Sequence, residues 1–280
     1  EDQTRAPVFI QTVHRQGYRF IAPVTACDVL PPASQAPVSG LLVGRDDERR
    51  QLHASFATAF DGHRQIVFLA GEAGIGKTAI IDEFIAQLAA ESSLTFMRGQ
   101  CIEHYGSGEA YLPILEALGR LGRDDEVPLR DLLRRYAPSW LPHLPALVAD
   151  ATTASGTSAR MLAELCEALE QLASRQPVVL VLEDLHWSDT ATLDWLAHFA
   201  RRRDPARVLV LATYRPIDVI VHSHPLRAIV GELQRQRRCT QLVLDYLPLG
   251  ALEEYLQRRF PGLEARHELA ELLHGPARGE

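Results

Sequence analysis

Hydrophobic and polar positions divide the chain into three stretches. Residues 7–22, PVFIQTVHRQGYRFIA, place β-rich apolar runs on either side of His14-Arg15-Gln16-Gly17 and predict two short strands joined as a hairpin. Residues 23–40 carry Pro23, Pro31, Pro32 and Pro37 among small polar residues, the composition of a linker. From Leu41 onward, stretches of helical period alternate with short, wholly apolar runs. Asp46–Phe60 sets Leu52, Phe56 and Phe60 on one helical face, and Asp61-Gly62 stops it. QIVFLA (65–70), LTFMR (94–98), VVLVL (178–182), RVLVLAT (207–213) and QLVL (241–244) read as strands. Lys77–Ala90 and Ser158–Ser174 read as helices, the second with Met161, Leu162, Leu165, Leu169 and Leu172 on one face. Strands that are apolar almost throughout, separated by helices, predict an α/β fold whose parallel sheet is covered on both faces. No internal repeat is present.

Composition narrows the class. With 46% hydrophobic and 23% charged residues, the chain has the make-up of a soluble globular protein. A formal charge of −7 excludes a global basic footprint, so nucleic-acid binding would have to be local. Cys27, Cys101, Cys166 and Cys239 show no C-x-x-C spacing, which argues against a zinc site or disulfide framework and fits a reducing, cytoplasmic compartment. No apolar run approaches the roughly 18 residues of a membrane span. The first residues, EDQTRAPVFI, lack a signal-peptide pattern and an initiator Met, and the chain is expected to begin inside a longer protein.

One motif carries most of the chemistry. Gly71-Glu72-Ala73-Gly74-Ile75-Gly76-Lys77-Thr78 matches G-x-x-x-x-G-K-[ST], directly after a strand and opening a helix. Glycines let the backbone curl round an anion so that its N–H groups converge on phosphates, and the helix adds its N-terminal dipole. Lys77 is expected to reach the β- and γ-phosphates of a nucleotide, and Thr78 to place its hydroxyl on Mg²⁺. Lys77 is also the only lysine; every other basic position that is not His is Arg. A compact ammonium suits a tight phosphate nest that a planar guanidinium does not.

The strand at 178–182 runs into Glu183-Asp184. Two carboxylates leaving a buried strand beside a phosphate loop can complete the Mg²⁺ shell and polarise a water for attack on the γ-phosphate. Capping of the next helix falls to Ser188 or Asp189, and Trp187 reads as packing.

LVGRDDERRQL, GEAGIGKT, VVLVLEDLHWSD and VLVLATYRP stand in the order and spacing of the STAND-type ATPases, AAA-like P-loop regulators of large bacterial transcription activators, and residues 41–260 resemble that family. The resemblance implies an ASCE-type sheet with an extra strand, 94–98, between the phosphate-loop and acidic strands. It implies ATP or ADP with Mg²⁺ as ligands, Val43-Gly44-Arg45 near the adenine, and Thr213 and Arg215 sensing the γ-phosphate. It also implies a P-loop domain over 41–246 and the start of a helical lid over 247–280. The family pattern has Asp before Glu where this chain has Glu183 before Asp184, which leaves open which carboxylate serves the metal and how fast hydrolysis runs.

FIQTVHRQGYRFIAPV is similar to the terminal wing of OmpR/PhoB-type winged-helix domains, with Thr12, Gly17, Tyr18 and Arg19 at matching positions. That implies weak DNA-backbone contacts from Arg15 and Arg19, with DNA recognition belonging to the complete parent domain. Residues 1–40 balance Arg5, Arg15 and Arg19 against Glu1, Asp2 and Asp28, too little charge for a strong phosphate footprint. His222 and His224 lack a third metal ligand nearby and read as loop residues. Arg201-Arg202-Arg203 fit either an arginine finger or a charge-compensated helix end. The resulting expectation is a slow, ATP-dependent switch of a transcription regulator, open to self-association in its ATP state and with no membrane partner. A turnover ATPase and a nucleotide-binding module without hydrolysis are the rivals.

Overall fold

The computed structural model describes residues 10–13, 17–20, 42–103, 109–123, 129–147, 156–263 and 266–277. The chain separates into two compact units, Glu1–Val38 and Ser39–Glu280. In the first, β1 (Ile10–Val13) and β2 (Gly17–Phe20) pair antiparallel with Ile10 opposite Phe20 and Gln11 opposite Arg19. Arg15, the hairpin turn at 14–16 and the 23–40 linker lie outside the described residues.

The second unit runs α1 (Asp46–Phe60), β3 (Gln65–Ala70), α2 (Lys77–Glu91), β4 (Thr95–Gln100), α3 (Leu112–Leu121), α4 (Leu129–Tyr136), α5 (Ser158–Arg175) and β5 (Val178–Glu183). It continues through α6 (Thr190–Arg201), β6 (Val208–Tyr214), α7 (Pro216–Val221), α8 (Leu226–Arg235), β7 (Thr240–Val243), α9 (Leu249–Arg259) and α10 (Arg266–Ala277). The five strands β3–β7 form one parallel sheet in the order β4-β5-β6-β3-β7. It is an α/β P-loop NTPase fold with helices on both faces.

Alternation along each strand assigns the two faces. Ile66, Phe68, Leu180, Leu182, Val210 and Ala212 look into a core built with α3–α6 and α8. Val67, Leu69, Val179, Val181, Leu209 and Leu211 look the other way, onto Leu52 of α1 and Ile80, Ile81, Phe84 and Leu88 of α2. Both faces being covered explains why the central strands β3, β5 and β6 are apolar almost throughout, while the edge strands β4 and β7 mix in Thr, Arg and Gln.

The sheet order corrects one expectation. The strand after α2, placed at 94–98 between the phosphate-loop and acidic strands, precedes the acidic strand in the chain but lies outside it, at the sheet edge. The strand between β3 and β5 is β6, which pairs with both. Crossover helices decouple chain order from spatial order, so a later strand can insert between earlier ones. As a consequence the C-terminal ends of β3, β5 and β6 lie side by side, where ligands of open α/β sheets collect.

Candidate nucleotide site

The loop after β3 is anchored on both flanks. The Gly71 N–H donates to the Tyr214 carbonyl (3.3 Å) at the end of β6, and the Leu244 N–H, just past β7, donates to the Ala70 carbonyl (2.8 Å). Gly74 and Gly76 hold positive φ, +75° and +101°, with open space where a Cβ would be; it is the backbone turn that needs glycine there. Gly76 is the N-cap of α2, so the loop ends at unpaired helix N–H groups.

Lys77 is the first residue of α2 and is buried, 8% exposed. Its ammonium donates to the carbonyls of Gly71 and Glu72, both at 2.8 Å. Burial lowers its pKa, and the positive charge of Arg215 lowers it further, while Asp184, Glu72 and Asp218 pull it back up. The loop, the end of β5 and the head of α7 therefore share one electrostatic site. Glu72, Ala73, Gly74 and Thr78 are exposed, and Ile75 and Gly76 half-buried.

The acidic pair at the end of β5 splits. Glu183 is buried, and its Oε1 accepts from Arg98 Nη2 at 2.6 Å; Arg98 Nη1 donates to Asp82 Oδ1 of α2, also at 2.6 Å. Asp184 is held more lightly. Its Oδ2 accepts from Gln100 Nε2 at 3.3 Å, and its backbone N–H donates to the Thr213 hydroxyl at 3.0 Å. The Asp184 backbone is left-handed (φ 57°), a region that costs a non-glycine residue about 1 kcal/mol and that Asp tolerates better than most. Thr213, fully within β6, thus fixes the backbone of the residue beside the phosphate loop.

Arg215 caps α7, with Nη1 at 3.6 Å from Asp218 Oδ2. His186 lies between Asp184 and Asp218, its Nδ1 3.9 Å from Asp184 Oδ1 and its Nε2 3.4 Å from Asp218 Oδ2. Burial lowers the His186 pKa to about 4, against the opposing pull of Asp184 and Asp218.

Val43 is buried in the core, and Gly44 and Arg45 line a cleft of about 520 Å³ with Asp245, Tyr246 and Pro248. Arg45 is itself 5% exposed; its guanidinium donates to the carbonyls of Ile75 (3.2 Å) and Asp245 (2.6 Å) and to Glu48 (3.1 Å). It ties this cleft to the phosphate loop.

Other residues settle into structural roles. Asp189 caps α6, accepting from the Thr192 N–H (2.8 Å) and the Tyr111 N–H (3.0 Å), whereas Ser188 donates to the Leu185 carbonyl. Trp187 packs on the core and contacts the His186 and His222 rings. His224 faces the Ser188 carbonyl at 3.1 Å, and His222 the Asp218 carbonyl at 2.9 Å. Among the described residues no group of three or more potential metal ligands converges. Arg201 pairs with Glu232 and Arg202 with Glu170, while Arg203 is exposed. Arg98, Asp218 and His186 join the site only through the fold. A basic residue ending an apolar strand, an acid three places after Arg215, and a His directly behind the acidic pair are the signals they leave.

The Mg²⁺ and nucleotide that such a loop implies fit these residues. A hydroxyl and two carboxylates are the hard oxygen donors Mg²⁺ prefers, and a buried ammonium at the first turn of α2 suits phosphate.

Known proteins agree at the level of family. Residues 41–211 match the family model described as AAA ATPase domain. A protein of Rhizobium meliloti (strain 1021), described as uncharacterized, is 26% identical over 198 residues; the match takes in 64% of this chain but only 19% of that protein's length. Cdc6p of Pyrobaculum aerophilum is 14% identical with a TM-score of 0.47, over 80% of this chain and 49% of its own. A chain of the HORMA:CdnC:Trip13 complex of E. coli MS115-1 is 14% identical with a TM-score of 0.46, over 83% of this chain and 74% of its own. RuvB of Thermotoga maritima is 16% identical with a TM-score of 0.40, over 81% and 56%. At that level of similarity the strand order and loop geometry, rather than these neighbours, carry the fold. With a phosphate loop at the end of β3, an acidic strand end at β5 and a family match across more than half its length, the chain belongs to the AAA ATPase domain family.

Proposed function

We propose that this chain is the ATP-binding switch of a bacterial transcription regulator, binding ATP with Mg²⁺ and hydrolysing it slowly to move between on and off states. Lys77 and the loop N–H groups bind the phosphates, and Gly44 and Arg45 border the base. Thr78, Glu183 and Asp184 would hold Mg²⁺, which, when bound, neutralises charge on the phosphate oxygens. Asp184 orients the attacking water and takes up its proton, Thr213 fixes the Asp184 backbone, and Arg215 senses the γ-phosphate.

The observation that carries the slow-switch reading is the Arg98–Glu183 ion pair at 2.6 Å. It engages one of the two carboxylates at the strand end and leaves Asp184 as the lightly held one. A single lightly held carboxylate fits a timer better than a fast motor. α9 and α10, which pack on each other beyond β7, are the candidate moving part. The antiparallel pairing of β1 and β2 fits the wing of a DNA-binding domain, with DNA recognition belonging to the complete parent domain; residues 1–40 alone should bind DNA only weakly and salt-sensitively. Steady-state hydrolysis with ATP and Mg²⁺ tests the central point. The expected turnover is below about 0.1 s⁻¹, the range of unassisted P-loop switches. Sustained turnover near or above about 10 s⁻¹, typical of enzymes, would replace the switch by a turnover ATPase.

A further inference from the structure

A fully buried imidazole sits at the centre of the site with no hydrogen-bond partner among the described residues. The His186 side chain has no exposed surface, and neither Nδ1 nor Nε2 makes a hydrogen bond of good geometry. Leaving a buried polar atom unsatisfied is costly, and a phenyl ring would fill similar space without that cost. What the two nitrogens face is specific. Nδ1 points toward Asp184 Oδ1 at 3.9 Å and Nε2 toward Asp218 Oδ2 at 3.4 Å, and Asp218 is also the partner of Arg215 at 3.6 Å. Lys77 and Arg215 complete the set of charges around the ring, and Trp187 packs against it with ring centroids 5.1 Å apart.

The two ring nitrogens face two different carboxylates, so a small turn of either carboxylate closes a hydrogen bond to the ring. We infer that His186 is a positioning residue that links Asp184 to Asp218, coupling the hydrolytic carboxylate to the Arg215 end of α7. In one arrangement the ring holds Asp218 through Nε2 and Asp184 is free to turn to its ligand. In the other it holds Asp184 through Nδ1 and Asp218 belongs to Arg215 alone. Two discrete arrangements of one residue, each favoured by a different state of the nucleotide, are the minimum a switch requires. This inference rests on the nucleotide-switch reading above and adds the element that links its two sensing groups.

The test compares the parent chain with His186→Phe, His186→Gln and Asp218→Asn, reading ATP and ADP affinity by calorimetric titration with Mg²⁺ and hydrolysis in a single turnover. His186→Phe should keep ADP affinity within about twofold, lower the single-turnover rate at least about tenfold, and erase the parent's discrimination between ATP and ADP. His186→Gln, which restores a donor and an acceptor, should recover the rate to within about threefold of the parent. Asp218 is partly exposed, so Asp218→Asn reads the same link even if His186→Phe does not fold; it should match the His186→Phe loss, and the double variant should add little. Parental behaviour of His186→Phe and Asp218→Asn, or a His186→Gln variant as impaired as His186→Phe, overturns the inference. If the parent binds ATP but never hydrolyses it, the hydrolytic part of the function falls while the ATP-to-ADP affinity ratio still decides His186. A parent that binds neither nucleotide overturns both.

Discussion

Replacing Arg98 with Leu should destabilise the fold far more than loss of an exposed arginine would. Arg98 lies in β4, its side chain 22% exposed, and its guanidinium bridges Glu183 at the end of β5 to Asp82 on α2, both at 2.6 Å. Burial disfavours the cation, but the hydrogen bonds to Glu183 and Asp82 outweigh it and raise the Arg98 pKa. The Glu183 side chain is only 11% exposed, so Arg98→Leu leaves a nearly buried carboxylate without its partner. Breaking a fully buried pair this way costs about 3–5 kcal/mol, and the residual exposure here places the loss at about 3 kcal/mol. Asp82 is 43% exposed and adds little. For a unit of this size, about 3 kcal/mol corresponds to a Tm drop of about 6–12 °C. Urea and thermal unfolding, followed by circular dichroism without nucleotide, measure both. The double variant Arg98→Leu/Glu183→Leu should recover most of the loss, because an apolar pair of similar volume removes the stranded charge. A single variant that loses less than about 1 kcal/mol, or a double variant no more stable than the single, would refute the reasoning.

Three further outcomes are expected. Lys77→Arg should weaken ATP binding at least about 30-fold in calorimetric titration, because an ammonium packed against two carbonyls at 2.8 Å leaves no room for a guanidinium. Asp184→Asn should bind ATP nearly as the parent does but hydrolyse it at least about 100-fold more slowly in a single turnover, since the amide can still orient water but cannot take its proton. His224 is half-buried with its pKa below the ordinary 6.5, chiefly through burial. The unfolded chain therefore binds that proton more readily, and this contribution to stability is present above about pH 6.5 and is lost as pH falls toward the folded value. His224→Gln should flatten that part of the stability–pH curve measured by urea unfolding.

The elements that flank the Gly71–Thr78 loop were plain in the sequence. Gln65–Ala70 and Asp46–Phe60 have the expected bounds, Lys77–Glu91 and Ser158–Arg175 run one residue past them, and the loop sits between strand and helix. Apolar runs and helical period are local signals, and these elements are long enough to carry them. The sheet order was less legible, because a strand's neighbours are chosen by crossovers that leave no local trace. Least legible were the contacts that make the site one unit. Arg98 and Glu183 are 85 residues apart, and Arg45 and Asp245 are 200 apart; an arginine in sequence reads as a solvated charge until the fold supplies its carboxylate or carbonyl. His186 hid for the opposite reason: only burial without a partner marks it, and burial is a tertiary property.

The central claim, that the loop around Lys77 is a working nucleotide site, is tested most directly by calorimetric titration of ATP with Mg²⁺ into the parent chain and into Lys77→Ala. The parent should bind one ATP per chain with a Kd of about 1–100 μM. Lys77→Ala should give no measurable binding heat while unfolding at the parent's urea midpoint. A parent that does not bind ATP, or a Lys77→Ala variant that binds it as tightly as the parent, would contradict the account.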